Sequence, residues 1–189
     1  LRTVDICLAW HPYSANFSSI STLANARIFY DFHGVSAHAA AAPHLGRSAL
    51  DAVELMSVGV NYLREHMIPE ARVHYAVTNA GGEAPNVVPA YAQVLYSVRA
   101  PGTEELHKLI GRVNKVAEGA AMMTETELEI EFLGGCYNTQ NNHVLAGVVA
   151  EAMNEIPQEP WTQEELDFAA ALDEQTADAA RAPRKYGLS

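Results

Sequence analysis

What most limits the fold of this chain is a repeated switch between two hydrophobic periods from about Leu23 to Leu133. Residues 26–32 alternate, with Ile28, Tyr30 and Phe32 to one side and Arg27 and Asp31 to the other. That period of two is the pattern of a half-buried strand. Across Ser48–Met67, residues Ala49, Val53, Met56, Val60, Leu63 and Met67 recur at steps of four and three, one apolar stripe on a helix that ends before Pro69. Arg72–Asn79 alternates again through Val73, Tyr75 and Val77, and Ala80–Pro85 is a turn-rich break. A third strand follows at Tyr91–Ala100, with Ala92, Val94, Tyr96 and Val98 on one face. After Pro101-Gly102, Thr103 is predicted to cap a helix with Glu104 and Glu105 in its first turn and Leu106, Leu109, Val113, Val116 and Ala120 in its stripe. Glu127–Phe132 closes the series as a strand with one wet face.

The order β-α-β-β-α-β is that of the split βαβ, ferredoxin-like unit. The expected fold class is therefore α+β: a four-stranded antiparallel sheet with two helices on one face, the other face solvated or used. The flanks fall outside this unit. Residues 1–21 read as a buried strand ending at His11-Pro12 and then a Ser/Asn-rich loop. Residues 136–189 read as a mainly helical segment, with helices near Val144–Glu155 and Gln163–Glu174, Thr162 as a cap, and a frayed end from Arg181. A chain that opens inside an element, without Met or a visible secretory signal, reads as cut from something larger.

Composition narrows the partners. The net charge is −11, and nine acidic residues with no Lys or Arg fall between Glu151 and Asp178, the pattern of a solvated helix face. No basic stripe is present, so nucleic acid is not expected. No apolar run approaches the ~18 to 20 residues needed to cross a bilayer. The two cysteines, Cys7 and Cys136, lie far apart and form no C-x-x-C pair, which points to a reduced, cytoplasmic protein. Cys7, in an apolar run, is expected to be buried.

Four residues are candidates for chemistry. His38 sits in a loop of small residues between the first strand and the first helix, flanked by His33 and His44. The spacing of five from His33 does not match a helical zinc pair, whereas an imidazole there could donate to a developing oxyanion. Alternatively it is a plain surface histidine. Asn86 lies between Pro85 and Pro89, where its amide could hold a carboxylate or simply cap a turn. Arg99 ends the third strand on the face the helices leave open, as a fork for a carboxylate or half of a cross-strand salt bridge. His11, after the run Ile6–Trp10, is placed to ligate a metal at a sheet edge, though one ligand makes no site.

Several segments together carry a resemblance: Trp10-His11-Pro12, Ala37-His38-Ala39-Ala40, Pro43–Ala52, Ala71–Ala76, Pro85-Asn86-Val87-Val88, Val98-Arg99-Ala100-Pro101 and Ala117–Thr126, with thirteen positions from Asn86 to Arg99. In order and spacing the chain resembles the dimeric zinc amidohydrolases and carboxypeptidases that include aminoacylases and indoleacetyl-amino-acid hydrolases. The likeness reaches to about Asp173. It implies that residues 22–135 are a dimerisation or lid domain inserted into an α/β catalytic domain, of which the flanks are fragments. By position, His38 resembles the histidine that enters the partner subunit's active site to stabilise an oxyanion. Asn86 and Arg99 resemble the pair that grips the substrate's free carboxylate, and His11 resembles a metal ligand.

The implied parent is a homodimer that hydrolyses an amide next to a carboxylate. It would use a divalent metal, zinc or else manganese or cobalt, and a Glu base. The remaining ligands and that Glu belong to parts of the family pattern outside this sequence, so the chain by itself is expected to bind no metal stably and to be inactive. The alternative is a non-catalytic dimerisation or small-ligand-binding module on the same fold.

Overall fold

In the computed structural model, residues 3–11, 13, 15–157 and 159–180 are described. The chain forms two compact units, Thr22–Thr139 and a second made of Leu1–Ser21 with Gln140–Ser189.

The first unit contains β1 (Ala24–His33), α1 (Ala49–Arg64), β2 (Arg72–Asn79), β3 (Tyr91–Ala100), α2 (Thr103–Thr124) and β4 (Glu127–Cys136). The strands make one antiparallel sheet in the order β2-β3-β1-β4, the ferredoxin-like arrangement read from the periodicity. α1 packs on β2 and β3, α2 on β1 and β4, and the two helices lie against each other. The core is the alternation made solid. Ala24, Ala26, Ile28, Tyr30 and Phe32 of β1 and Ala92, Val94, Tyr96, Val98 and Ala100 of β3 are buried beneath Val53, Met56 and Val60 of α1 and Leu109, Val113 and Ala117 of α2. Tyr30 lies edge-on to Tyr96 with ring centroids 5.4 Å apart, and its hydroxyl donates to Asn114 Oδ1 of α2 at 2.7 Å, tying sheet to helix. Burial pushes the Tyr30 phenol up.

Element ends differ from the sequence reading in instructive ways. Ser48 is the cap of α1 and not its first residue; its hydroxyl accepts from Asp51 N–H and donates to the Asp51 carboxylate. α1 stops at Arg64, because the Arg64 guanidinium turns back to donate to Val73 O of β2 and the chain tightens through His66 N–H to Leu63 O. Thr103 is the first helical residue of α2. Its cap is Gly102, which offers no side-chain oxygen, so Glu104 and Glu105 complement the helix N-terminus. β4 runs four residues beyond Phe132, to Cys136, because a bulge opposite Arg27/Ile28 absorbs one extra residue and lets pairing resume.

The second unit holds α3 (His143–Glu155), capped by Asn142, and α4 (Gln163–Ala180). Thr162 and Glu165 form a reciprocal capping box at α4: Thr162 N–H donates to the Glu165 carboxylate, and Glu165 N–H donates back to the Thr162 hydroxyl. The acidic side chains Glu164, Glu165, Asp167 and Glu174 are solvated. Residues 3–11 correct the expected buried strand. They form no strand, Ile6, Leu8 and Trp10 are exposed, and Cys7 is exposed too. An apolar run becomes a buried strand only where neighbouring strands accept its backbone hydrogen bonds, and no described strand pairs with it. Pro12 and residues 181–189, where a frayed end is expected, lie outside the described residues.

Candidate functional site

The open face of the sheet and the loops at one of its ends carry the candidate residues. Two loops meet at the end where His33 of β1 pairs with Tyr91 of β3. One holds His38 and the other Asn86, and they are joined as a short ladder. Ala39 N–H donates to Asn86 O at 2.9 Å, Val88 N–H donates to Ala37 O at 2.9 Å, and His38 faces Val87. The His38 loop is anchored further by Gly34 N–H to Ala90 O and by a Val35–Arg47 bridge. Gly34 is required there, since a Cβ would lie 2.0 Å from Arg47 O. Arg47 is itself clamped by Glu125, at 2.8 Å.

His38 is exposed, and its ring orientation is fixed by its own loop. Ala40 N–H and Ala41 N–H both donate to His38 Nδ1, each at 3.2 Å. Accepting at Nδ1 requires a lone pair there, so the neutral ring carries its hydrogen on Nε2, turned away from the loop. The imidazole is thus a preset N–H donor. His33 does not join it; it lies on the open sheet face, its ring tilted against Tyr91 with centroids 5.3 Å apart and its Nε2 3.8 Å from the Glu129 carboxylate.

Asn86 is exposed on its turn beside His38. Arg99 is exposed on the open face, as the alternation foretells, but at the far end of β3. It lies eight residue steps along β3 from Tyr91, about 27 Å at 3.4 Å per residue. Within one chain the Arg99 fork and the His38–Asn86 loops therefore cannot close on one small molecule. His11 belongs to the other compact unit. Among the described residues no three His, Cys, Asp or Glu side chains converge on a point that could hold a metal. A catalytic zinc takes about three protein ligands, so the described residues build no metal centre.

Two features escaped the sequence reading. Asp31, placed on the wet side of β1, is in fact buried and forms the hub of a polar lock near the loop end of the sheet. Tyr91 OH donates to Asp31 Oδ1, as does Gln93 Nε2 at 2.7 Å, and Thr78 OH donates to Gln93 Oε1 at 2.8 Å, so the lock spans β1, β3 and β2. The bond to Asp31, with burial and the charges of Asp31 and Glu129, pushes the Tyr91 phenol up to about 12. Period-two Tyr and Gln on a strand hint at this lock, but only the strand register aligns them with Asp31. The register also sets Arg72 directly across from Arg99.

A four-stranded antiparallel sheet with two helices on one face is the fold of a peptidase dimerisation domain. Residues 19–123 match the peptidase dimerisation domain of the M20 peptidases, and the chain belongs to that family. It is 49% identical over 170 residues to one of the subunits of the p-aminobenzoyl-glutamate hydrolase of Escherichia coli K12, covering 89% of this chain and 35% of that protein. It is 32% identical over 151 residues to the Xaa-Arg dipeptidase of Mus musculus, covering 79% of this chain and 35% of the relative. Among solved structures, the aminobenzoyl-glutamate utilization protein of Klebsiella pneumoniae superposes with a TM-score of 0.59 at 25% identity, over 71% of this chain and 34% of that one. The chain thus spans about a third of the length of these relatives. Among the described residues, no helix is long and apolar enough to cross a membrane.

Proposed function

We propose that this chain is the dimerisation and substrate-gripping part of a metal-dependent amidohydrolase that cleaves an amide next to a free carboxylate, with p-aminobenzoyl-glutamate or an N-acyl amino acid as substrate. Residues 22–135 are the lid, and the flanks belong to the catalytic domain. The divalent metal, zinc or else manganese or cobalt, would sit in that domain with His11 among its ligands and would supply an activated water. This chain contributes the rest. His38 donates its Nε2–H to the oxyanion, and Asn86 and Arg99 hold the carboxylate. The observation that carries this reading is the His38 ring, locked through Nδ1 by two backbone N–H groups so that a single donor points outward.

The assembly is a homodimer paired through the β2 edge with α1 alongside. Two free edges exist, β2 and β4. β4 carries Glu127, Glu129 and Glu131, a row of charge that would repel its own copy, whereas Arg72 is the only Asp, Glu, Lys or Arg in β2. Tyr75 and Val77 of β2 are partly exposed, and Leu55, Val58 and Tyr62 extend the apolar strip along α1. Antiparallel pairing of β2 with its copy would set the Arg72–Arg99 end of one chain beside the Asn79 end of the other. Arg99 would then lie three strand spacings, about 14 Å, from the β3 of its partner at the end that carries the His38 and Asn86 loops. That is half the separation within one chain, and it supports a site shared by two copies, with Arg99 from one and His38 and Asn86 from the other. Two exposed free cysteines suit a reducing, cytoplasmic setting.

The test is hydrolysis of p-aminobenzoyl-glutamate with added zinc or manganese. The 189-residue chain is expected to show no turnover above a His38→Ala control. A full-length enzyme carrying this segment is expected to hydrolyse it and to lose about 10²- to 10³-fold in kcat on His38→Ala, as for other oxyanion donors. Full activity of that variant refutes the assigned role.

A further inference from the structure

On the open face, beside Arg99, the register assembles a second basic position that the roles above leave unused. Arg27 of β1 pairs with Ser97 of β3, two residues before Arg99, and Ser97 in turn pairs with His74 of β2. Arg27 and Arg99 are thus diagonal neighbours on one face, with Cβ atoms about 7 Å apart. Arg72 stands directly across from Arg99. The floor between these long side chains is low. Ser97 is small, and on its other side Arg27 faces Gly134 of β4, which has no side chain and open space above it. Arg27 and Arg99 are both exposed, and neither takes part in the three ion pairs formed among the described residues. Of the acidic residues of this face, Asp31, Glu129 and Glu127 gather at the opposite end, while Glu131, opposite Phe29, is a diagonal neighbour of Arg27 on the β4 side, as Arg99 is on the β3 side, and a ligand carboxylate would compete with it for Arg27. Like charges brought together by register are unfavourable, and a bound dianion relieves that repulsion.

We propose that Arg27 is a specificity-determining residue that binds a second carboxylate of the ligand whose first carboxylate Arg99 holds. The inference rests on the assignment of Arg99 above. The ligand class is a dicarboxylic amino acid or its N-acyl derivative. Two guanidinium forks rooted about 7 Å apart can converge on carboxylates about 5 Å apart, the span of an acidic amino acid. Asn25 borders the same cradle and adds an amide donor, and Arg72, whose guanidinium donates to Pro69 O and Ala71 O, adds its charge at the rim.

The experiment is an NMR titration of the 189-residue chain, reading the Arg Nε–Hε signals, with N-acetyl-glutamate, N-acetyl-glutamine and inorganic phosphate as probes. N-acetyl-glutamate is expected to bind at least fivefold more tightly than N-acetyl-glutamine and to shift the Arg27 and Arg99 signals. Arg27→Gln is expected to abolish that preference while leaving N-acetyl-glutamine binding within twofold, and Arg99→Gln to weaken both amino-acid probes. Backbone spectra verify that both exposed-face variants stay folded. Equal affinity for the two amino-acid probes, a preference that survives Arg27→Gln, or phosphate binding as tightly as N-acetyl-glutamate would each overturn the proposal. The readout needs no catalysis, so a failure of the amidohydrolase reading shows separately, in the hydrolysis assay.

Discussion

The lock around Asp31 makes a quantitative claim. Asp31 is 7% exposed and its Oδ1 receives both the Tyr91 hydroxyl and the Gln93 amide. Hydrogen bonds to a charged acceptor contribute about 1.5–3 kcal/mol each. Tyr91 and Gln93 are only half-buried and can turn to water when Asp31 is removed, so the lower figure applies to each and Asp31→Ala should cost about 3 kcal/mol. Asp31→Asn retains one carbonyl oxygen and should cost about half of that. In a double-mutant cycle with Tyr91→Phe the coupling should be about 1.5 kcal/mol, since each partner alone removes the shared bond. Urea unfolding followed by circular dichroism at neutral pH measures all three, with an unchanged m-value as the check on two-state behaviour. The lock ties together the strand ends from which the His38 and Asn86 loops leave, so the Ala39 and Val88 amides should also exchange faster with solvent in Asp31→Ala. A loss below about 0.5 kcal/mol, or no coupling, would refute the claim that this cluster holds the loop end of the sheet together.

Three further outcomes follow from single contacts. The Tyr91 phenol is raised from 10.0 to about 12, chiefly by its bond to Asp31. The folded state therefore keeps a proton that the unfolded chain releases, so the Tyr91 contribution should be constant below pH 10 and be lost between pH 10 and 12; Tyr91→Phe should make the fall shallower in a pH series of thermal melts, the raised Tyr30 and Tyr96 phenols supplying the rest. Gly34→Ala forces a Cβ to 2.0 Å from Arg47 O and should cost about 2–4 kcal/mol by chemical denaturation, because both neighbours are backbone held in a bridge. Among the described residues the Tyr96 hydroxyl is buried without a hydrogen-bond partner, and burial above all pushes its phenol up to about 12. Tyr96→Phe should then be neutral or stabilising by up to about 1 kcal/mol; a clear loss of stability would show that the hydroxyl is satisfied.

Much of the dimerisation domain was legible in the chain itself. The helix stripe through Val53, Met56 and Val60 and the alternation in β1 and β3 report burial directly, because a side chain's face follows from local geometry alone. Placing Arg99 on the open face needed nothing more than counting by twos. The same rule misplaced Asp31: alternation assigns a face, and whether a polar residue on that face is wet depends on what the neighbouring strands set beside it. The buried first strand failed for a related reason. The apolar run Ile6–Trp10 states a preference for burial, and burial needs partners that no described strand supplies.

For the functional residues the division is sharper. Residue type, order and spacing by themselves determined which side chains are candidates, the α+β unit that carries them and the family they resemble. Tertiary structure decided what they can do together. Pairing across strands fixed the separation of about 27 Å between Arg99 and the His38 loop, at 3.4 Å per residue along β3, set Arg27 and Arg72 around Arg99, and turned Asp31 into a hub. Periodicity is a property of one segment, whereas register is a relation between two. The sequence writes the first into each strand; hydrogen bonds between distant segments, closed only when the core packs, establish the second.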